Sequence, residues 1–341
     1  MPQESSIKTC AHTNRREFRK FDGVQLYECT QCLLVFREPT DADRSPELLY
    51  DDFYKNELPS RFRSFVEYVV RLLRFYRALK IFTIAPRAKT IFDIGSGRGF
   101  TLHYLRKFFR YRRVAGTQIS RPALEFSRNT LGLEIYGEDL LERSWENDSF
   151  EVVTMWHVLE HVIAPEQYIA KIYDILTSDG LLIIEVPNLS SWTRRLTGKY
   201  WLGLDLKYHL NFFSPASLIT ILKRHNFLAT LVHTFSLEFS TFLSTQSIIS
   251  RFTKTNQLLF QWLQGIKFPL WKLIYHFVLM VIIAPLCLLI NLALFFTKKG
   301  EVLCLVAKKT PKDHEPSTAS FISNDASPSV AAELHKLSTT K

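Results

Sequence analysis

Three glycines, Gly95, Gly97 and Gly99, stand at alternate positions directly after the apolar run Ile91-Phe92-Asp93-Ile94. Glycines in such a row let the backbone turn tightly and approach a ligand closely, and the run before them reads as a buried strand. The helical pattern that follows, with Leu102, Leu105, Phe108 and Phe109, would aim its first amides into that turn. The stretch predicts a strand–loop–helix cradle for an organic cofactor. A second set, Cys10-Ala-His12 with Cys29-Thr-Gln-Cys32, offers three thiols and one imidazole in two close pairs. That donor set suits a closed tetrahedral structural zinc site. The reading without metal is an N-terminus whose cysteines are incidental. Between the pairs, 21–28 predicts a hairpin turning at Asp22-Gly23.

The elements that must carry these residues alternate. Apolar runs predict strands at 91–94, 114–117, 133–136, 150–155 and 181–186, with helices at 100–109, 122–131 and 165–176. Ser120 before Pro122 and Ser214 before Pro215 read as helix N-caps with proline in the first turn. Alternation of this kind gives an α/β fold, a mostly parallel sheet with helices on both faces, and ligands bind beyond the carboxyl ends of its strands. Upstream, 60–82 predicts a basic amphipathic helix, with Phe62, Phe65, Val66, Val69, Leu73 and Tyr76 on the apolar face and Ser64, Glu67, Arg71 and Arg74 opposite. The expected packing is against the domain with arginines in solvent, and a membrane-surface role is the sharper alternative. With 341 residues the chain can bury a full core. A net charge of +10 points to a nucleic acid or an anionic membrane as neighbour. No nucleic-acid module accompanies it, and a polar start with no apolar core predicts no signal peptide. Five cysteines fit a reducing compartment better than a disulfide framework.

Dinucleotide folds space their glycines two and then three apart; here the spacing is two and two. The ordered series from Asp93 through Gly116-Thr-Gln-Ile-Ser120, Gly137-Glu-Asp139, Phe150-Glu-Val-Val-Thr-Met-Trp-His-Val-Leu-Glu-His161, Ser178-Asp-Gly-Leu-Leu-Ile-Ile-Glu-Val-Pro-Asn188 and Tyr208-His-Leu-Asn-Phe-Phe-Ser-Pro215 resembles the class I S-adenosylmethionine-dependent methyltransferases. Cys29-Thr-Gln-Cys-Leu-Leu-Val-Phe36 resembles a small-molecule subgroup with an N-terminal Cys-x-x-Cys-x-x-x-Phe. The resemblance implies a Rossmann-like seven-stranded sheet whose last strand is antiparallel, and S-adenosylmethionine as cofactor. By position it implies that Asp93 lies near the methionine ammonium, that Gly95, Gly97 and Gly99 admit the cofactor, that Asp139 accepts from the adenine amine, and that Trp156 belongs to the cofactor site. The family's ribose-binding acid is replaced by Gln118, a neutral amide without the charge that strengthens such bonds. If the acceptor is a hydroxyl, a base helps its proton leave. His209, in the insertion that shapes the acceptor pocket in the resembling family, ranks first for that role, then His161, then His157.

Between a sixth strand at 227–235 and a last one at 301–308 lies the least ordinary region. Residues 277–296 carry no charge, long enough to span a bilayer. A single crossing would put the last strand on the wrong side, so the expectation is a re-entrant hairpin hinged at Pro285, flanked by Lys267, Lys272, Lys298 and Lys299. A buried helical pair or a hydrophobic dimer interface is the alternative. The predicted organisation is therefore a zinc-binding knuckle at 1–40, a linker and basic helix at 41–88, a methyltransferase domain at 89–236 plus 301–309, a hydrophobic membrane-associating insertion at 237–300 and a disordered tail at 310–341. The expected function is methyl transfer to a hydroxyl of a small or lipid-linked acceptor, a polyprenyl-linked sugar or an isoprenoid quinone, at the cytoplasmic face of a membrane, with membrane lipids as partners and no nucleic acid. A non-catalytic membrane scaffold and a soluble dimeric O-methyltransferase are the other readings, and the oligomeric state stays open.

Overall fold

A computed structural model describes residues 10–44, 64–255, 257–263 and 266–312. Its centre is a seven-stranded sheet. β4 (Thr90–Ile94), β5 (Arg113–Thr117), β6 (Glu134–Tyr136), β7 (Phe150–Trp156) and β8 (Leu176–Pro187) run parallel. β10 (Phe227–His233) and β11 (Val302–Lys309) complete the order β10-β11-β8-β7-β4-β5-β6, with β11 antiparallel to both neighbours. Successive residues leave opposite faces of a strand. Accordingly Phe92, Val153 and Leu182 enter one core, and Ile91, Val152 and Ile183 enter the other. Burial on both faces is why these strands read as unbroken apolar runs.

The first face is covered by Ile169 and Ile172 of α4 (Pro165–Ile175) and Leu218 and Ile221 of α6 (Pro215–Arg224). The second is covered by Ala78 and Ile81 of α1 (Ser64–Ile84) and Leu102 and Leu105 of α2 (Phe100–Phe108). α3 (Arg121–Asn129) follows β5, and α5 (Trp192–Thr197) follows β8. Ser214 caps α6 in a full capping box with Ser217, whereas Ser120 precedes α3 without a side-chain cap bond.

A second, antiparallel sheet orders β1 (Arg15–Phe21), β2 (Val24–Cys29), β3 (Val35–Arg37) and β9 (Asn211–Phe212). Asp22 and Gly23, with φ of 43° and 90°, make the expected hairpin turn. β3 pairs with β9, Val35 opposite Phe212, so the N-terminal segment is stitched to the insertion after β8. Cys10, Cys29, Cys32, Leu34 and Phe36 share the core of the first sheet face.

Two expectations need correction. The polar side of α1 faces solvent only in part, at Arg71. Glu67 and Arg77 are buried, while Tyr68, Leu72 and Tyr76 are exposed. The charged side turns inward because it meets opposite charges there: Arg98 for Glu67, and Glu238 for Arg74 and Arg77. Phe62 lies outside the described residues, as does almost all of 310–341. The hinge at Pro285 is also absent. α9 (Leu270–Ala293) runs through Pro285 as one helix, and the reversal falls earlier, between α7 (Ser240–Thr253) and α9, in a segment that includes α8 (Leu258–Leu263). α7 and α9 lie antiparallel, joined by Asn291 Nδ2 donating to Ser244 Oγ at one end and by Thr255 Oγ1 within 3.0 Å of His276 Nε2 at the other. The buried positions of α9 are His276, Cys287 and Asn291. Outside, Trp271, Val281, Ile282, Leu289 and other large apolar residues are exposed.

Candidate active site

The glycine loop leaves β4 with φ of 69°, 58° and 74° at Gly95, Gly97 and Gly99, a region that costs L side chains energy. A Cβ at Gly95 would stand 2.5 Å from Val158 Cγ2, so this loop and the turn after β7 touch. A Cβ at Gly97 would meet nothing nearer than Gln118 Nε2 at 4.0 Å, which leaves the loop a hollow to cradle. Asp93 is buried at the strand end and accepts from Thr154 Oγ1 at 2.5 Å. Burial pushes its pKa up to about 6, against the opposing pull of Thr154, Arg77 and Arg74.

Across the loop, Gln118 is buried at the end of β5, and its Oε1 accepts from the Ser120 amide at 3.0 Å. One of the two lone pairs on that oxygen is thereby engaged, and Nε2 faces the glycine loop. Asp139, after β6, accepts from the Leu141 amide at 2.9 Å and from the Tyr168 hydroxyl of α4. Trp156, the last residue of β7, is 7 % exposed, with the Arg77 guanidinium 4.6 Å over its ring. Among the described residues its indole N–H is buried without a partner, as is the Ser120 hydroxyl.

The turn after β7 gathers the histidines. His157 has φ of 55°, strained for a side chain of its size, and its Nδ1 lies 3.1 Å from Glu160 Oε1. Its Nε2 is 3.6 Å from Glu185 Oε1. Burial alone would lower its pKa, but the hydrogen bonds to Glu160 and Glu185 outweigh burial and raise it to about 9. His161 and His209 meet edge to face with ring centroids 4.7 Å apart. Their Nδ1 atoms lie 3.0 Å from the Tyr208 carbonyl and 2.9 Å from the Gly203 carbonyl. The backbone of Glu160 accepts from Leu210 and Asn211, which holds the insertion on this turn.

Beside this turn opens a cleft of about 250 Å³ between α1, β10 and the start of α7, with Arg77, Lys80, Trp156, Glu185 and Ser236 among its walls. Glu185 receives Lys80 Nζ at 3.2 Å and Ser236 Oγ at 2.9 Å. None of these charged partners was expected at a site. The readable signal was Glu185 itself, one charge inside the apolar run Leu181-Leu-Ile-Ile-Glu-Val186. At the N-terminus, Cys10 Sγ is 3.5 Å from Cys29 Sγ and Cys32 Sγ is 3.5 Å from His12 Nδ1. One donor atom from each of the four lies within 4.8 Å of the others, and Gln31 N–H donates to Cys29 Sγ at 3.4 Å.

A family profile described as a methyltransferase domain matches residues 62–232, half of the chain. The chain belongs to this methyltransferase family. It is a class I S-adenosylmethionine-dependent methyltransferase. No curated protein matches it. Among solved structures, a sarcosine dimethylglycine methyltransferase candidate from Galdieria sulphuraria shares 13 % identity at a TM-score of 0.48, covering 80 % of this chain and 99 % of its own. An S-adenosylmethionine-dependent methyltransferase from Archaeoglobus fulgidus shares 16 % identity at 0.46, covering 77 % and 99 %. The [4+2]-cyclase SpnF shares 12 % identity at 0.46, covering 69 % and 80 %.

The methyltransferase's loop fits its cofactor: the hollow at Gly97 and the unpartnered polar atoms of Trp156 and Ser120 are what a polar organic ligand would fill. S-adenosylmethionine supplies an electrophilic methyl group on a sulfonium.

Proposed function

We propose that this methyltransferase methylates a hydroxyl of a small or lipid-linked acceptor, such as a polyprenyl-linked sugar or an isoprenoid quinone, at the cytoplasmic face of a membrane. The observation that carries this reading is the continuity of cleft and apolar surface. Leu231, Leu237 and Phe295 line the cleft, and Leu231 and Leu237 are exposed beside it. Phe295 follows α9 and contacts Phe296, which is 84 % exposed. An acceptor with a long apolar chain would reach the cleft along this face without crossing water. The outward side of α9 is apolar and its protein-facing side carries Asn291 and His276, the arrangement of a helix solvated by lipid. Lysines at both ends suit anionic headgroups.

In this reading Asp93 receives the methionine ammonium, and Gly95, Gly97 and Gly99 admit the cofactor backbone. Gln118 addresses the ribose, Asp139 accepts from the adenine amine, and Trp156 walls the methionine end. Methyl transfer from a sulfonium is a direct displacement, so the chain's work is alignment, exclusion of water and removal of the hydroxyl proton. His209 is first in line for that proton, then His161. In each ring Nδ1–H can only donate to the carbonyl it meets, which leaves the lone pair on Nε2. His157, between two carboxylates, acts as a fixed positive charge. Cys10, His12, Cys29 and Cys32 hold a structural zinc that locks β1–β3.

The test is transfer of label from methyl-tritiated S-adenosylmethionine by purified protein into a membrane extract. Label in the lipid phase is the expected result. Label only in water-soluble products removes the lipid-linked acceptor, and absence of cofactor binding in calorimetry removes the whole reading. A second reading, a silent scaffold, rests on Gln118, a neutral amide that brings no charge to the ribose diol. Asp93→Ala separates the two, since an enzyme loses its phenotype and a scaffold keeps it.

A further inference from the structure

Glu160, His161 and His209 bring one donor atom each to within 4.8 Å of one another. Glu160 is 1 % exposed; its Oε1 meets His157, and its Oε2 has no hydrogen-bond partner among the described residues. A carboxylate oxygen left alone at that depth is costly, so it needs a cation or a donor that protein atoms do not supply. The two imidazoles are set for the same task. Carbonyl oxygens of Tyr208 and Gly203 hold their Nδ1–H groups, which fixes the tautomer and turns Nε2 into the ligand atom. A carbonyl behind the ring is the usual support of metal-bound histidine.

We propose that Glu160, His161 and His209 form a site for one divalent transition-metal ion of the zinc, cobalt or iron type. Two imidazoles and a carboxylate are borderline ligands suited to such ions, and three protein ligands leave coordination positions open. Bonds of about 2.1 Å place tetrahedral ligand atoms roughly 3.4 Å apart, so donors that lie within 4.8 Å of one another have at most about 1.4 Å to close on binding. His209 sits on the insertion and Glu160 on the turn after β7, and the metal would pin one to the other where the Leu210 and Asn211 amides already meet Glu160 O.

The inference rests on the proposed methyl transfer and replaces its base: with Nε2 of His209 and His161 on the ion, the metal takes over removal of the hydroxyl proton and the product is unchanged. An acceptor hydroxyl at an open position would be acidified by the metal, as bound water is. Its proton passes to solvent, its oxygen forms the new bond to the methyl carbon, and the C–S bond breaks with its electron pair retained by sulfur. Positive charge leaves the sulfonium as negative charge leaves the oxygen. Val158 against Gly95 sets this turn beside the cofactor loop. The insertion thereby supplies a ligand as well as a wall.

Cobalt(II) titration of the full-length protein in detergent, stripped of metal and then given a single equivalent of zinc, tests the site, because the thiolate set takes that zinc first and leaves the new site vacant. The expected result is one equivalent bound with weak visible bands and no thiolate charge-transfer band. Glu160→Gln and His209→Ala are expected to weaken cobalt at least tenfold while cofactor binding in calorimetry persists; Cys29→Ser leaves the visible bands in place. Unchanged cobalt affinity in variants that still bind the cofactor overturns the site, as does a spectrum wholly of thiolate type. If the variants lose cofactor binding, X-ray absorption on wild-type cobalt protein decides: imidazole and oxygen scattering supports the site, and sulfur alone overturns it. Wild-type protein that binds S-adenosylmethionine but no cobalt removes the metal and leaves methyl transfer standing.

Discussion

Asp93 and Gln118 make opposite statements about cofactor affinity. With its pKa near 6, Asp93 must be ionised to meet an ammonium. Cofactor affinity is therefore expected to fall about tenfold per pH unit below that value, read by calorimetry between pH 5 and 7.5. The sign for the empty fold is the reverse. An acid whose pKa rises on folding stabilises the fold below its unfolded value of about 4 and loses that contribution as pH climbs through about 6. Melting of cofactor-free protein should thus weaken over the interval in which binding strengthens. Gln118→Glu keeps an acceptor for the Ser120 amide and adds charge for the ribose diol. It is expected to tighten S-adenosylmethionine by about tenfold, roughly 1.4 kcal/mol; weaker binding would mean that the amide N–H is the contact in use. The glycine spacing and the ordered motifs made the cofactor legible. The pairing of Glu160 with His209 was not, because 49 positions separate them and only the insertion's return brings them together.

At the scale of elements, α1 is the instructive case. Apolar periodicity located the helix but turned Glu67 outward and Tyr76 inward, the reverse of what the fold does with each. Charges are assigned to solvent when their partners are distant in sequence, and Glu185 and Glu238 lie more than a hundred residues from Lys80 and Arg77. Removing one member of such a buried pair strands the other. Glu185→Gln, which leaves Lys80 and His157 without their shared carboxylate, is expected to cost about 3 kcal/mol in chemical denaturation. Joint Lys80→Met and Glu185→Leu should recover much of that loss, and a single variant as stable as wild type would show the pair to be solvated. Pro285 misled for a related reason. A proline inside an α-helix removes one hydrogen bond, but neighbouring groups can compensate, and α9 runs on through it.

For the whole molecule, the parallel sheet could be read from alternating runs, and its antiparallel last strand from the family resemblance. The join between the N-terminal sheet and the insertion could not, since a two-residue strand such as β9 has no periodicity to detect. The apolar face of α9 supports a prediction at this scale. Val281 and Leu289 are 69 % and 65 % exposed. Val281→Lys with Leu289→Lys is expected to abolish flotation with anionic vesicles while shifting stability by less than about 0.5 kcal/mol per site. A large loss of stability, or of dimer in sedimentation, would show instead that protein covers this face.

The position of β11 has a consequence for synthesis. It is an interior strand, lying between β8 and β10, yet it follows every other element of the sheet in the chain. Translation proceeds at about 5–20 residues per second. For several seconds after β10 has left the ribosome, the sheet therefore has a gap one strand in from its edge, and the edge of β8 is unpaired. Within that window the whole of α9 emerges. Its greasy side can find a bilayer before the strand that closes the sheet exists, so the nascent enzyme would be moored first and completed afterwards.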